Sequence, residues 1–261
     1  MKSKKFWQFK AKNDDESVGE LLLYGEIADS SWWGDEVTPK QFKADLDALG
    51  DISTLNIYIN SPGGDVFAGQ AIYSMLKRHK AAKCVYIDGL AASMASVVAM
   101  VGDTVIMPSN AMLMIHNPWT IALGNANDFR EMADVLDKIR ESSIAVYQEK
   151  TGMEPDDIIP LLDAETWMTA QDAKDLGFID EIESAKKVAA SICNDTLNFN
   201  GVSFNLSKFK ALPVQKIEWF AEQPPPVTSE PLVSDPVQQA MPVDIYEKII
   251  KNNERRFKYG L

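Results

Sequence analysis

A serine hydroxyl attacks a carbonyl only when a neighbouring base takes its proton, and this chain offers two histidines, His79 and His116. The serine of interest closes the run Gly89-Leu90-Ala91-Ala92-Ser93 and is followed by Met94-Ala95-Ser96. A strand that stops at Gly89 and a helix that begins near Ser93 set that hydroxyl beside unpaired N–H groups at the positive end of the helix dipole. The position also suits a plain N-cap, and the segment does not match the Gly-x-Ser-x-Gly elbow of α/β-hydrolases. His79 sits in Lys77-Arg78-His79-Lys80 and reads as a favourable positive charge at a helix C-terminus. His116 follows the apolar run Met112-Leu113-Met114-Ile115 and precedes Asn117-Pro118, at a strand end where α/β sheets build their sites. It is the credible base. An orienting carboxylate is needed behind it, and Asp163 and Glu165, within Leu161-Leu162-Asp163-Ala164-Glu165-Thr166-Trp167, are both candidates. Such a trio performs acyl transfer.

A second bend, Ile59-Asn60-Ser61-Pro62-Gly63-Gly64-Asp65, allows close approach to main-chain N–H groups because Gly63 and Gly64 carry no Cβ. It lacks the Lys-Ser/Thr ending of a phosphate-binding loop, so nucleotide binding is not expected. Cys84 and Cys193 are too few for a four-cysteine zinc site or a disulfide framework. No metal and no cofactor are expected.

These residues need a frame to bring them together. Between residues 20 and 184, short β-rich runs alternate with stretches of helical period, an α/β pattern. Strands are predicted at Leu21–Ile27, Leu55–Ile59, Lys83–Ile87, Thr104–Met107, Met112–Ile115 and Phe178–Ile182. Helices are predicted from Pro39, after Gly64, from Asn127 to Lys150, from Pro155 to Leu162, and from a capping-box-like Thr169-Ala170-Gln171-Asp172 to Gly177. Asn200-Gly201 between Leu197-Asn198-Phe199 and Val202-Ser203-Phe204 is a hairpin signal. Six prolines between Pro224 and Pro242 mark a stiff linker. The expected organisation is a basic segment at 1–19, a catalytic domain at 20–184, an extension with a hairpin at 185–222, a Pro-rich linker at 223–242 and a basic tail helix at 243–261.

Charge narrows the partners. Residues 1–12 hold five lysines and no acid, and residues 246–261 hold five basic against two acidic side chains, so the intervening body carries a formal −20 within a net of −12. A body that acidic repels nucleic acid. No uncharged apolar run reaches the length of a membrane span, and Gln8, Lys10 and Lys12 interrupt the apolar stretch a signal peptide requires. The expectation is a cytoplasmic protein that contacts neither nucleic acid nor membrane.

Taken in order, Ile59-Asn60-Ser61-Pro62-Gly63-Gly64, Gly89 through Ser96, Met114-Ile115-His116-Asn117-Pro118, and Trp167-Met168-Thr169-Ala170 with Gly177-Phe178-Ile179-Asp180 resemble the successive signatures of the Clp protease proteolytic subunit family. Trp32-Trp33-Gly34-Asp35, Gly64-Asp65-Val66-Phe67-Ala68-Gly69, His116-Asn117-Pro118-Trp119 and Glu165-Thr166-Trp167 are similar to its phage and prophage branch, the head maturation proteases. The resemblance spans about residues 20–184. It implies a superhelix of strand-turn-helix units, of the kind shared with crotonases, with a long protruding helix near 127–150. It implies a serine endopeptidase in which Ser93 is the nucleophile, His116 the general base, and Gly64 and Met94 the backbone donors of an oxyanion hole. The position aligned with the family's aspartate is Glu165, a departure that leaves Asp163 as its rival. Self-association into a ring of seven, or two stacked rings, is implied as well. Capsid or scaffold chains are the implied substrates of the phage branch, and an unfoldase ATPase is the implied partner of the housekeeping branch. An acyl-CoA enzyme of the crotonase fold and an inactive capsid-assembly scaffold are the competing readings.

Overall fold

Leu55, Ile57 and Ile59 are fully buried, as are Val85 and Ile87, and this alternation builds the two central strands of the sheet. In the computed structural model, residues 5–12, 15–28, 38–186, 190–193, 196–199, 202–205, 207 and 209–210 are described. They belong to the unit Met1–Gln223. The linker and tail expected at 223–261, and Trp32-Trp33-Gly34-Asp35, lie outside the described residues.

In chain order the elements are β1 (Trp7–Lys12), β2 (Asp15–Tyr24), α1 (Pro39–Asp47), β3 (Thr54–Ser61), α2 (Val66–Arg78), β4 (Ala82–Ala92) and α3 (Met94–Ala99). There follow β5 (Thr104–Pro108), β6 (Met112–Ile115), α4 (Ala126–Thr151), α5 (Pro155–Asp163), β7 (Thr166–Thr169), α6 (Ala170–Asp175) and β8 (Glu181–Glu183), then β9 (Ala190–Cys193), β10 (Thr196–Phe199) and β11 (Val202–Asn205). The main sheet runs β1-β2-β3-β4-β5-β8, with β6 paired to β4 and to β7. From β2 to β5 and on to β8 the strands are parallel, as crossover helices require. β9, β10 and β11 form a separate antiparallel sheet in whose backbone register Phe199 pairs with Val202.

Local signals explain most element ends. Thr38 accepts from the Gln41 N–H ahead of Pro39, and Asp65 accepts from the Ala68 N–H, so both helices begin on capped donors. Asn125 with Asp128, and Thr169 with Asp172, form reciprocal capping boxes at α4 and α6. Gly152 ends α4 in the left-handed conformation at φ 73°.

Four expectations change. Segment 1–19, expected as a basic appendage, supplies β1 and much of β2. Its Trp7 is buried, meets the Phe42 ring at 5.4 Å and donates Nε1–H to Asp45 at 2.9 Å. β4 runs through Gly89 to Ala92 because it changes partner, pairing with β5 at Cys84–Tyr86 and with β6 at Leu90–Ala92. The strand expected at Phe178–Ile182 begins only at Glu181. Phe178 and Ile179 both donate their N–H to the Ala173 carbonyl and close the turn after α6, with Phe178 packed on Tyr147. His79 is not a helix-end cation: burial first, then Lys83 and Lys80, hold its pKa below the ordinary value, and Nδ1 accepts from the Ala81 N–H at 3.2 Å.

The sheet register assembles the site. Parallel pairing of Ala92 with Met114 leaves Ser93 and His116 just past the ends of adjacent strands. Antiparallel pairing of Ile115 with Thr166 then sets His116 and Glu165 one step beyond on facing strands. The long helix α4 buries only Ile144, Val146 and Tyr147, while Phe129 and Val135 stay about half exposed.

Candidate active site

Ser93 stands between β4 and α3 at φ 53°, ψ −128°, a conformation that costs a residue with a Cβ about 1–3 kcal/mol. The surroundings hold it there. Its N–H donates to the Met114 carbonyl at 2.9 Å, and its own carbonyl accepts from the Ser96 N–H at 2.9 Å and the Ser96 hydroxyl at 2.6 Å. Ser96 is fully buried, and its Oγ lies 2.8 Å from the Tyr147 hydroxyl. With the Ser96 proton committed to the carbonyl, Tyr147 is the donor in that pair. The strained bend is thereby tied to α4.

From this bend the Ser93 Oγ lies 2.8 Å from His116 Nε2. Burial is the largest influence on the imidazole and, with the Lys210 ammonium, lowers its pKa from the ordinary 6.5, while the Glu165 carboxylate opposes them. A ring that stays neutral at pH 7 can accept the serine proton. Glu165 Oε2 stands 3.8 Å from Nδ1, an ion-pair distance beyond direct hydrogen bonding. Glu165 is buried and takes φ 49°, and its carboxylate accepts from Trp167 Nε1–H at 3.3 Å and from the Lys210 N–H at 2.8 and 2.9 Å.

Asp163 is turned elsewhere. It accepts from the Asn117 side chain at 2.7 Å and lies 3.8 Å from the Arg140 guanidinium, with more than half its side chain in solvent. Glu165 is therefore the carboxylate brought to His116.

The glycine bend completes the cleft. Ile27 donates to the Gly63 carbonyl at 2.7 Å, and Asp65 donates to the Ile27 carbonyl at 2.8 Å. In this parallel bridge the N–H of Gly64, between the two bonded residues, points away from Ile27. Gly64 lines a cleft of about 260 Å³ together with Gly63, Ser93, His116, Asn205 and Phe209. Its φ is 143°, and a Cβ there would stand 2.0 Å from the Ile27 carbonyl oxygen. Met94 opens α3, so its N–H belongs to the first turn and has no partner within the helix. Two donors and a serine–histidine pair around one cleft can carry nucleophilic attack on a carbonyl and stabilise the resulting oxyanion.

Some of these neighbours were not anticipated. Ser96 left a faint trace, since it interrupts the apolar run from Met94 to Ala99, and Tyr147 only closes the run Ile144-Ala145-Val146. Phe209 and Lys210 left none, because nothing in the spacing between residues 165 and 210 signals contact. Among the described residues no group of His, Cys, Asp and Glu is arranged to hold a metal, and no helix is long and apolar enough to cross a membrane.

Comparison with known proteins agrees with the motifs. The ATP-dependent Clp protease proteolytic subunit of Bacteroides fragilis strain ATCC 25285 is 35% identical over 140 residues, covering 52% of this chain and 67% of the relative. The protein of the same description from Bacteroides fragilis strain YCH46 is also 35% identical, with 63% of its length covered. That of Bacteroides thetaiotaomicron is 34% identical over 140 residues, again with 63% covered. The matched stretch thus spans about two thirds of these relatives. A family model described as Clp protease matches residues 34–186, more than half of the sequence. Ser93, His116 and Glu165 all fall inside that span, and the chain belongs to the Clp protease family.

Proposed function

We propose that this chain is a serine endopeptidase working through Ser93, His116 and Glu165. The observation that carries the reading is the 2.8 Å contact between Ser93 Oγ and His116 Nε2 on a strained bend, with a buried carboxylate behind the ring. The Ser93 hydroxyl donates to Nε2 and gives up its proton as Oγ attacks the peptide carbonyl. The N–H groups of Gly64 and Met94 stabilise the oxyanion, and the imidazolium is stabilised electrostatically by Glu165. His116 then protonates the leaving amine, the C–N bond breaks, and water, deprotonated by the same ring, hydrolyses the acyl-enzyme. An acyl-CoA enzyme of related fold has no need of the serine–histidine contact, and a decayed scaffold has no reason to keep it.

Among Clp-type peptidases, the motifs around Trp32, Trp119 and Glu165 favour head maturation of a phage or prophage, with capsid or scaffold chains as substrates in the bacterial cytoplasm. The second reading, a subunit that works with an unfoldase ATPase, is favoured by the names of the Bacteroides relatives. Either use is served by self-association into a ring that encloses Ser93, and the half-exposed Phe129 and Val135 on α4 are suited to such a contact. The peptidase reading is tested with a fluorophosphonate and a peptide library. Ser93 is expected to be labelled, and Ser93→Ala to lose labelling and cleavage without a change in melting temperature. Labelling of Ser96 instead, or cleavage by the variant, refutes it.

A further inference from the structure

The family match ends at residue 186, yet the cleft does not. Asn205 and Phe209 lie against it beside Gly64, Ser93 and His116. The Phe209 ring stands edge-on to Trp167 at 5.3 Å and tilted over the His116 ring at 6.2 Å. One residue on, the Lys210 main-chain N–H donates to both oxygens of Glu165, at 2.8 and 2.9 Å. The last of these contacts falls on the one member of the trio that departs from the family pattern, and Phe209 packs on Trp167, whose Nε1–H donates to the same carboxylate. A glutamate has one more rotatable bond than an aspartate, and its 3.8 Å ion-pair distance to Nδ1 is longer than a direct hydrogen bond. A buried carboxylate must take donors from the protein, and a main-chain N–H on both oxygens fixes its plane as well as its charge.

Building on the peptidase reading, we propose that the C-terminal extension is a working part of the active site: Lys210, through its main-chain N–H, is the positioning residue for Glu165, and Phe209 is a wall of the substrate cleft over His116. The longer side chain at 165 is then matched by a clamp from outside the family domain. Burial is the largest influence on the His116 imidazole; of the charges that act on it, the Glu165 carboxylate raises its pKa and the Lys210 ammonium lowers it.

The test uses the full-length chain and separates the N–H from the side chain. Lys210→Pro removes the donor, whereas Lys210→Ala keeps it and removes only the ammonium. Lys210→Pro is expected to lower kcat on the order of ten- to a hundredfold, the scale of a misplaced catalytic group, with a smaller change in KM. Lys210→Ala is expected to keep much more of kcat and to move the acid limb of fluorophosphonate labelling to higher pH, because loss of a neighbouring cation raises the His116 pKa. Unchanged kcat in Lys210→Pro overturns the clamp, and increased kcat overturns it in favour of an inhibitory strap. If the parent neither cleaves peptides nor labels at Ser93, the peptidase reading fails on its own. The clamp is then judged by NMR, with the Lys210 amide expected to resist hydrogen exchange and to lose that protection in Glu165→Ala; an amide equally labile in both overturns it.

Discussion

Gly63 makes contact between the glycine bend and the nucleophile, so a single methyl there perturbs the site through its backbone. In Gly63→Ala the new Cβ stands 2.7 Å from the Ala92 carbonyl oxygen, 2.7 Å from Ser93 Cβ and 2.8 Å from the Met94 nitrogen. None of these is the far end of a flexible side chain. Ordinary contact begins near 3.4 Å, so the bend and the Ser93 turn must separate by about 0.7 Å. A displacement of that size takes the 2.8 Å Ser93–His116 contact to the edge of hydrogen-bond range and moves the Met94 donor away from the oxyanion. Misplacement on the order of 1 Å costs about a hundredfold in rate, so kcat is expected to fall ten- to a hundredfold, with KM less affected. Gly63 also has φ +91°, which costs an alanine about 1–3 kcal/mol. At about 2–4 °C per kcal/mol for a chain of this length, that strain lowers the melting temperature by about 2–12 °C, and the clash adds to the fall. Gly50→Ala is the control: φ is +69°, but nothing lies within 4 Å of its Cβ. It should lose about 1 kcal/mol of stability and keep its kcat. The measurements are steady-state cleavage of a fluorogenic peptide, the fluorophosphonate rate at Ser93 and thermal melts of all three proteins. Parent-like kcat in Gly63→Ala refutes the geometric argument, as does an equal loss of rate in Gly50→Ala.

Activity should hold at neutral pH and fall on the acid side below about 6.5, because burial lowers the His116 pKa and a base works only when unprotonated; a limb above that value in kcat/KM profiles contradicts it. Glu165→Gln removes the one charge that raises that pKa, so the limb should move to still lower pH while the plateau rate drops, and Asp163→Asn should do neither. Ser96→Ala leaves the buried Tyr147 hydroxyl without its acceptor and should cost about 1–3 kcal/mol in denaturant melts, whereas adding Tyr147→Phe should recover part of that loss; strictly additive losses exclude the pair as a coupled unit. Replacing Phe129 and Val135 on α4 by Asp should yield a smaller particle in light scattering if that face meets another copy, and an unchanged mass counts against the ring.

Much of the architecture could be read without coordinates because its determinants are local. The apolar alternation of Leu55-Asn56-Ile57-Tyr58-Ile59 marks β3, and Thr169 through Asp172 and Thr151-Gly152 mark the ends of helices, all through contacts a few residues apart. Expectations failed where the decisive partner was distant. Trp7 looked like part of a basic tail until Phe42 and Asp45 were beside it. Gly89 looked like a strand end, and it is passed through because β4 exchanges β5 for β6 around that point. His79 looked cationic by its neighbours in sequence, and burial with the nearby lysines favours the neutral ring.

The sequence by itself determined the α/β alternation, the glycine bend, and the pairing of the serine candidate with one credible base, since two histidines leave little choice and strand ends are where such groups collect. Only the tertiary structure decided which carboxyl faces that base. Asp163 and Glu165 are two residues apart and chemically alike; the antiparallel register of β6 with β7 sends one to His116 while Asn117 and Arg140 engage the other. The same holds for Lys210, 45 residues from Glu165 and in contact with it only because the chain returns over the cleft. Spacing along the chain encodes what turns and helices do with near neighbours, and it carries no record of which distant backbone N–H will meet a buried carboxylate.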